Sequence, residues 1–459
     1  MTSENAGYPL RKPELSADGK VWNWAQNATL GDKNSVKTPA TEAELQSIIA
    51  ASQGKIRMMG SKMSPGRMVE ITDKGDTLLD LSLLRGLVDI TEESATFAGG
   101  TPLHEVYEIL SGVGRMLPAS PGVIASQSLA GALATGTHGQ GLQQSSIADE
   151  ALSIRMVLAD GSIAVFDRDH RWFSAVQTGL GSLGVVTQVT LRTQPSLVYT
   201  CFKNAVTADT LEQDLIDWNK NYPLSKAWWF PNENQVHVWA AREANSEEIK
   251  LYHDNNDDLV KQEKTSDAMN QTVDQTLEHM RSDTQILDED GKPFRTVTRF
   301  KDFSDVTGDV YQVFCRGIAT PQINVEIGIP LVRAGEVIRK IKAWHAETQP
   351  HMHYPIILRC TGPSSSWLSP SFGQDTCFFG FVVYYAEDGT LSEEGTRFLR
   401  AVEELLAAEG GRPHWGKYFE APLYDWATLY PQWNSFTEVR EALDPQHRFE
   451  NAFTAALFD

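Results

Sequence analysis

Two cations stand where a cation needs a reason. Arg359 interrupts the apolar run Pro355-Ile356-Ile357-Leu358-Arg359-Cys360. A guanidinium buried in such a strand must be paired or face a functional cavity, because an unpaired buried charge is costly. A structural ion pair and an active-site cation are both open. Lys417 follows His414-Trp415-Gly416. It is either an exposed loop lysine or the holder of an anionic ring nitrogen or a substrate hydroxyl. The run Ser128-Leu129-Ala130-Gly131-Ala132-Leu133-Ala134-Thr135-Gly136-Thr137-His138-Gly139 is made almost wholly of small residues. Glycine inside a helix or strand costs conformational entropy, so the run predicts a loop. Its N–H groups and Thr hydroxyls can donate to a flat or anionic ligand; a ligand-free turn is the alternative. Gly60-Ser61-Lys62-Met63-Ser64-Pro65-Gly66, fed by a strand over 55–59, is a second such cradle, for a pyrophosphate or for nothing.

Other chemistries find little support. No full GxGxxG follows a first strand, which argues against a nicotinamide Rossmann site. No Ser-His-Asp arrangement is legible by spacing. Cys201, Cys315, Cys360 and Cys377 lie far apart without a CxxC, which argues against zinc and against a disulfide framework. His345, His351 and His353 form a loose cluster without a second ligand group, so they read as surface residues and no metal is expected.

The elements that must position these residues follow from composition and pattern. A chain of 459 residues with 41% hydrophobic and 22% charged residues is a soluble globular protein of two to three domains. It can bury a cofactor. A net charge of −20 argues against nucleic acid and against an anionic membrane surface. No apolar run approaches the ~20 residues of a membrane helix, and the polar start has no signal-peptide pattern. The expectation is a cytoplasmic monomer or small homo-oligomer with a small-molecule substrate. Thr41 caps a helix carrying Leu45, Ile48 and Ile49, with Glu44 completing a capping box. Strands are expected over 77–81, 87–90, 95–98 and 151–158, with Asp160-Gly161 turning into a return strand over 162–166. A helix runs over 103–112, and Gly179-Leu180-Gly181-Ser182-Leu183-Gly184 turns into a strand from Val185. From about 200 to 415 the pattern is antiparallel strands with helices, including strands over 324–329, 355–360 and 376–385 and helices over 337–345 and 392–408. The polar stretch 252–290 reads as a solvated helix or mobile insertion.

Together these motifs are specific. Asn23-Trp24-Ala25, Gly60-Ser61, Ala134-Thr135-Gly136-Thr137-His138-Gly139, Leu183-Gly184-Val185-Val186-Thr187, Trp367-Leu368-Ser369-Pro370, His414-Trp415-Gly416-Lys417 and Asn451-Ala452-Phe453 occur in that order. The chain resembles the vanillyl-alcohol-oxidase superfamily with a PCMH-type FAD domain, and within it the alditol (xylitol) and sugar-1,4-lactone oxidases. The resemblance implies an α+β fold: a tail over 1–20, a two-subdomain FAD module over 21–197, a cap with a mostly antiparallel sheet over 198–419, and a segment over 420–459 returning to the FAD module. It implies that Arg57, Met58, Gly60, Ser61, Lys62, Met63 and Ser64 hold the FAD pyrophosphate. Ser120, Ser128, Gly131, Thr135, Gly136, Thr137 and His138 would line the cofactor, with Ser145, Ser146 and Ile147 as further contacts and Val185 or Val186 at the adenine end. His414 and Lys417 would reach the flavin from the cap. Arg359 and Lys417 would be catalytic, stabilising charge as hydride passes from a CH–OH carbon to flavin N5. Oxygen or another acceptor would then reoxidise the flavin.

The departures from that pattern carry their own expectations. The family's flavin-bonding His falls at Met63, and a thioether forms no such bond, so FAD is expected to be non-covalent. The family's Glu two residues before the arginine is Ile357, leaving no carboxylate on that strand to take the hydroxyl proton. Its His and Thr on the next strand are Gly380 and Val382. Asn324 is the main polar residue left. A polyol needs paired hydrogen bonds, so a bulkier or less polar donor, possibly a CH–NH one, is expected. An ordinary alditol or aldonolactone oxidase is the alternative. A flavin-binding protein using the cap as a binding or cyclisation pocket without net redox belongs to another class.

Overall fold

The computed structural model describes residues 19–262, 271–272, 274–275, 304–315, 322–385 and 393–458. Most of the tail expected over 1–20, and residues 263–270, 273 and 276–290 of the polar stretch, lie outside the described residues.

Two sheets build the N-terminal module. The smaller is parallel, with Thr77–Asp80 between Val36–Lys37 and Ile56–Met59. Its crossover helix is Glu42–Ala51. Thr41 caps it by accepting from the Glu44 N–H at 3.1 Å, but the Glu44 carboxylate returns to the N–H of Ala40 rather than Thr41. Leu45 and Ile49 seal it against Ile56, Leu79, Val157 and Val185. The larger sheet is antiparallel, in the order Ile163–Asp167, Ala151–Val157, Val185–Arg192, Ser94–Ala98, Leu87–Ile90. Strict alternation along Val185–Arg192 buries Val185, Thr187, Val189 and Leu191 on one face, the period-2 signature of a strand.

The small-residue run corrects one expectation. Leu129–Ala134 is a helix, not a loop. Ser128 caps it through the Gly131 N–H, and Leu129, Ala132 and Leu133 are buried. Three alanines and a serine cap outweigh one interior glycine, since Ala is the best helix former and an N-cap contributes about 1 kcal/mol. The loop follows the helix, and Gly136 takes a φ of +66° there, where glycine has no steric cost.

The cap is a nine-stranded antiparallel sheet among the described residues, in the order Val260–Gln262, Asp305–Gly308, Tyr199–Thr207, Gln235–Glu243, Leu224–Phe230, Ile356–Thr361, Thr376–Tyr384, Gln322–Pro330, Arg412–Pro413. Ile323, Val325, Ile327, Leu358, Cys360, Phe379 and Phe381 pack beneath the helices Leu211–Asn221, Leu331–Thr348 and Glu393–Ala408. By alternation the residues between them, among them Asn324, Glu326, Ile357, Arg359, Gly380 and Val382, share the other face, and that face meets the FAD module.

The chain end ties the two parts. Asn451 donates to the carbonyls of Arg67 and Glu70, and Arg448 to those of Ile49 and Ser52. Two histidines expected at the surface are buried. His345 pairs with Asn232 at 2.7 Å, and His353 accepts from the Tyr384 N–H at 3.1 Å. Both anchor strand or helix ends, a role spacing alone does not reveal. Among the described residues no helix is long and apolar enough to cross a membrane.

Candidate active site

Two cavities open into each other between the module and the cap, sharing Met63, Ser64, Gln127 and Thr135. The first lies in the module. Its wall brings together Arg57, Met58, Gly60, Ser61, Lys62, Met63, Ser64, Ser128, Gly131, Thr135 and Val186 from segments distant in sequence. Close approach explains its glycines. A Cβ on Gly60 would stand 2.1 Å from Ser128 Oγ, and Gly181 takes a φ of +63° beside Met58 and Arg57. The Arg57 guanidinium is fully buried and donates to the carbonyls of Met68, Leu180, Gly181 and Phe449. Burial draws its pKa down to about 10. Its charge is spent on carbonyls, so it shapes this wall rather than offering a free cation. Ser120, Gly136, Ser145, Ser146, Ile147 and Val185 line neither cavity. Ser146, for instance, is committed to Asp149 at 2.7 Å, and the Ser120 N–H donates to Gln144 Oε1 at 2.8 Å.

The second cavity is bounded by Thr137, His138, Asn324, Ile357, Arg359, Gly380, Val382, His414 and Lys417, all expected from the sequence. It also holds a residue that sequence reasoning missed. Glu326 is buried and accepts from Arg359 Nη2 at 2.7 Å. It sits opposite Gly380, which in turn sits opposite Ile357. The carboxylate absent at position 357 is thus present two strands away. A charged residue in the apolar run Asn324-Val325-Glu326-Ile327 was the same signal that singled out Arg359, and could have found it.

Electrostatics at this point are tightly coupled. Burial pushes Glu326 up, but Arg359, His138, Lys417 and His414 outweigh it and hold the carboxyl at about 2. Burial draws His138 down to about 4, against the opposing pull of Glu326. Its Nδ1 lies 3.1 Å from the Gly139 carbonyl, which favours the Nδ1–H tautomer, and its ring stacks on Phe378 at 3.6 Å. Burial also lowers His414, whose Nδ1 accepts from the Gly416 N–H at 2.9 Å. Lys417 is lowered by burial, with Glu326 opposing. The ligand atoms of His138, Glu326 and His414 lie within 4.8 Å of one another, close enough to hold a metal ion. Arg359 already occupies the carboxylate and Lys417 adds a second cation, so the group is better built to hold a guanidinium than a metal.

Away from this cluster the cavity divides by polarity. Gln322 and Asn324 continue the polar row on the strand of Glu326, while Val123, Ile124, Tyr354, Ile357 and Val382 supply apolar wall. Asn324 Oδ1 and Arg359 Nε are buried without a partner among the described residues.

Residues 189–457 match the D-arabinono-1,4-lactone oxidase family, and residues 34–167 match the FAD binding domain family. The chain belongs to the D-arabinono-1,4-lactone oxidase family. It is an FAD-dependent oxidase or dehydrogenase. The L-gulono-1,4-lactone dehydrogenase of Mycobacterium tuberculosis is 27% identical over 95% of this chain and 98% of that protein. An alditol oxidase of a Streptomyces species is 27% identical over 96% of this chain and 99% of that protein. The crystal structure of cholesterol oxidase from Brevibacterium sterolicum shares the fold, with a TM-score of 0.73 at 14% identity, over 98% of this chain and the whole of that one. The residues of this lactone-oxidase-family chain fit FAD. In the first cavity Gly60 lies so close to Ser128 that no Cβ would fit, and the buried Arg359 Nε, without a partner among the described residues, lines the adjoining second cavity. Gly60, Ser61, Ser64, Ser128 and Thr135 would hold the cofactor, and Lys417 and His414 would face it from the cap.

Proposed function

We propose that this enzyme oxidises a CH–OH or CH–NH donor bulkier or less polar than a simple polyol. The observation that carries the reading is the divided second cavity, a polar row on one strand facing Ile357, Gly380 and Val382 on the next two. Bound FAD supplies the hydride acceptor at N5. Arg359 and Lys417 supply positive charge beside it, and donate hydrogen bonds to the donor's oxygen. Ionised Glu326 and the unprotonated Nε2 of His138 are the proton acceptors nearest them. The mostly apolar second wall excludes water. Met63 at the cavity junction supports a non-covalent cofactor, since no other side chain expected to form the bond replaces the histidine. The division at about 197 and 419 is supported by the cap sheet, whose strands run from Tyr199 to Pro413.

Anaerobic visible spectra test the reading. The yellow protein should be bleached by bulkier alcohols or amines and left oxidised by xylitol and by aldonolactones. Acid precipitation should leave the FAD in solution. Glu326 and the two relatives named above favour a second reading, an ordinary alditol or aldonolactone oxidase with its carboxylate on another strand. Bleaching by a polyol or lactone at least as fast as by any bulkier donor would establish it and remove the first. Lys417→Met should slow flavin reduction at least tenfold under either. A redox-silent flavin binder would be indifferent to that change.

A further inference from the structure

Arg359 is gripped from two sides. On one side Gly122 leaves room for it, since a Cβ there would stand 1.5 Å from Nη1. On the other, Glu326 takes Nη2 at 2.7 Å across the strand Thr376–Tyr384. Three adjacent strands span about 10 Å, so only two long side chains can meet over the middle one. The space between them is open because residue 380 is glycine, paired with Glu326 on one flank and Ile357 on the other. With the guanidinium held between these two, Nε–H is buried and without a partner among the described residues.

We propose that Glu326 is the positioning residue of this site: it aims the Arg359 guanidinium from two strands away and cancels one of the cavity's two cations. Two cations, one carboxylate and two uncharged imidazoles leave one net positive charge. That balance matches the single negative charge expected on a two-electron-reduced flavin, and a buried site feels each unit charge strongly. The inference rests on reading this cavity as the donor site beside FAD.

The test uses the FAD-loaded protein and needs no substrate. Glu326→Gln keeps length and an acceptor for Arg359 but removes the charge. Its flavin midpoint potential should rise, by a tenfold or greater shift of the two-electron reduction equilibrium, about 30 mV. FAD content should stay near wild type. Glu326→Asp keeps the charge but withdraws the carboxylate by one methylene. Its potential should stay near wild type, while kcat with any donor found by bleaching falls about tenfold and KM moves less. An unshifted potential in Glu326→Gln with a lower melting temperature would make Glu326 merely structural. Should Glu326→Gln not fold, undiminished turnover in Glu326→Asp would overturn the aiming role. A colourless wild-type protein would overturn the FAD reading and this inference together. A yellow one whose potential ignores Glu326→Gln overturns this inference alone.

Discussion

At the residue scale the site turns on where one guanidinium can lie. Gly122→Ala forces a methyl into Arg359 Nη1, a contact of 1.5 Å that only movement of the side chain can relieve. We expect flavin reduction to slow at least tenfold while FAD stays bound, read by stopped flow and by the protein's absorbance. Unchanged reduction would mean that Arg359 needs no fixed place. Lys417 gives a pH signature. Burial lowers its pKa from the ordinary 10.5, so it loses its proton earlier than a free lysine as pH rises. The reduction rate should therefore fall on an alkaline limb centred below 10.5. Lys417→Arg should remove that limb, because a guanidinium stays charged throughout. A limb of unchanged position in the variant would assign it to another group. Arg359 and Lys417 were legible because a cation among apolar residues is an anomaly. Glu326 is equally anomalous in its own apolar run. Only strand pairing reveals that a residue 33 positions earlier lies within a hydrogen bond.

At the element scale, period-2 patterning made most strands legible, and the helix Glu42–Ala51 announced itself by its cap. What patterning could not resolve was the run after Ser128, where helix and loop share a vocabulary of small residues. Sequence resemblance brought Gly60, Ser128 and Gly131 into one site, but the reason for Gly60 is tertiary. It exists to let the helix Leu129–Ala134 approach the preceding strand's loop. Gly60→Ala would press a methyl to 2.1 Å from Ser128 Oγ, the atom that caps that helix. FAD affinity should drop at least tenfold in a fluorescence titration of the apoprotein, with the cap sheet unaffected. The bonds of Ser120 to Gln144 and of Ser146 to Asp149 were likewise invisible: a polar residue near a cradle is as easily a bracket behind its wall. Arg57 is such a bracket, joining the Met68 loop, the Leu180–Gly181 turn and the Phe449 segment through their carbonyls. Arg57→Met would leave those carbonyls buried and unpaired, at a cost of about 1–3 kcal/mol for each that finds no new donor. Denaturant unfolding that shifts by less than 1 kcal/mol would show that water replaces it.

For the whole molecule, the buried titratable groups make acid the weak direction. His138 and His237 are drawn down to about 4 by burial, and His414 lies well below 6.5. In the unfolded chain all three titrate near 6.5. Below that value the unfolded state binds more protons than the folded one, so stability falls with pH, by up to about 1.4 kcal/mol per pH unit for each histidine. Glu326, held at about 2, adds nothing to this slope near neutrality; its share is present above the ordinary 4.5 and is lost between 4.5 and 2. Three effects oppose the fall. Burial raises Glu70, Glu150 and Asp309, so the fold takes up their protons before the unfolded chain does and gains stability as pH falls through their folded values. His447 is raised by Glu450 and Glu441, so its contribution is present below 6.5 and lost as pH rises through its folded value, but it is partly exposed and screened. The net charge of −20 shrinks on acidification and relieves self-repulsion, but carboxylates supply that change mainly below about pH 5. Between about pH 6.5 and 5 the histidines should therefore win. Urea midpoints of the FAD-loaded protein should drop steadily across that interval, and His237→Gln, away from the cofactor, should flatten the slope. A midpoint that stays level until carboxylates titrate would mean these imidazoles are hydrated or already protonated in the fold, and the description of Glu326 as facing two neutral histidines would fall with it.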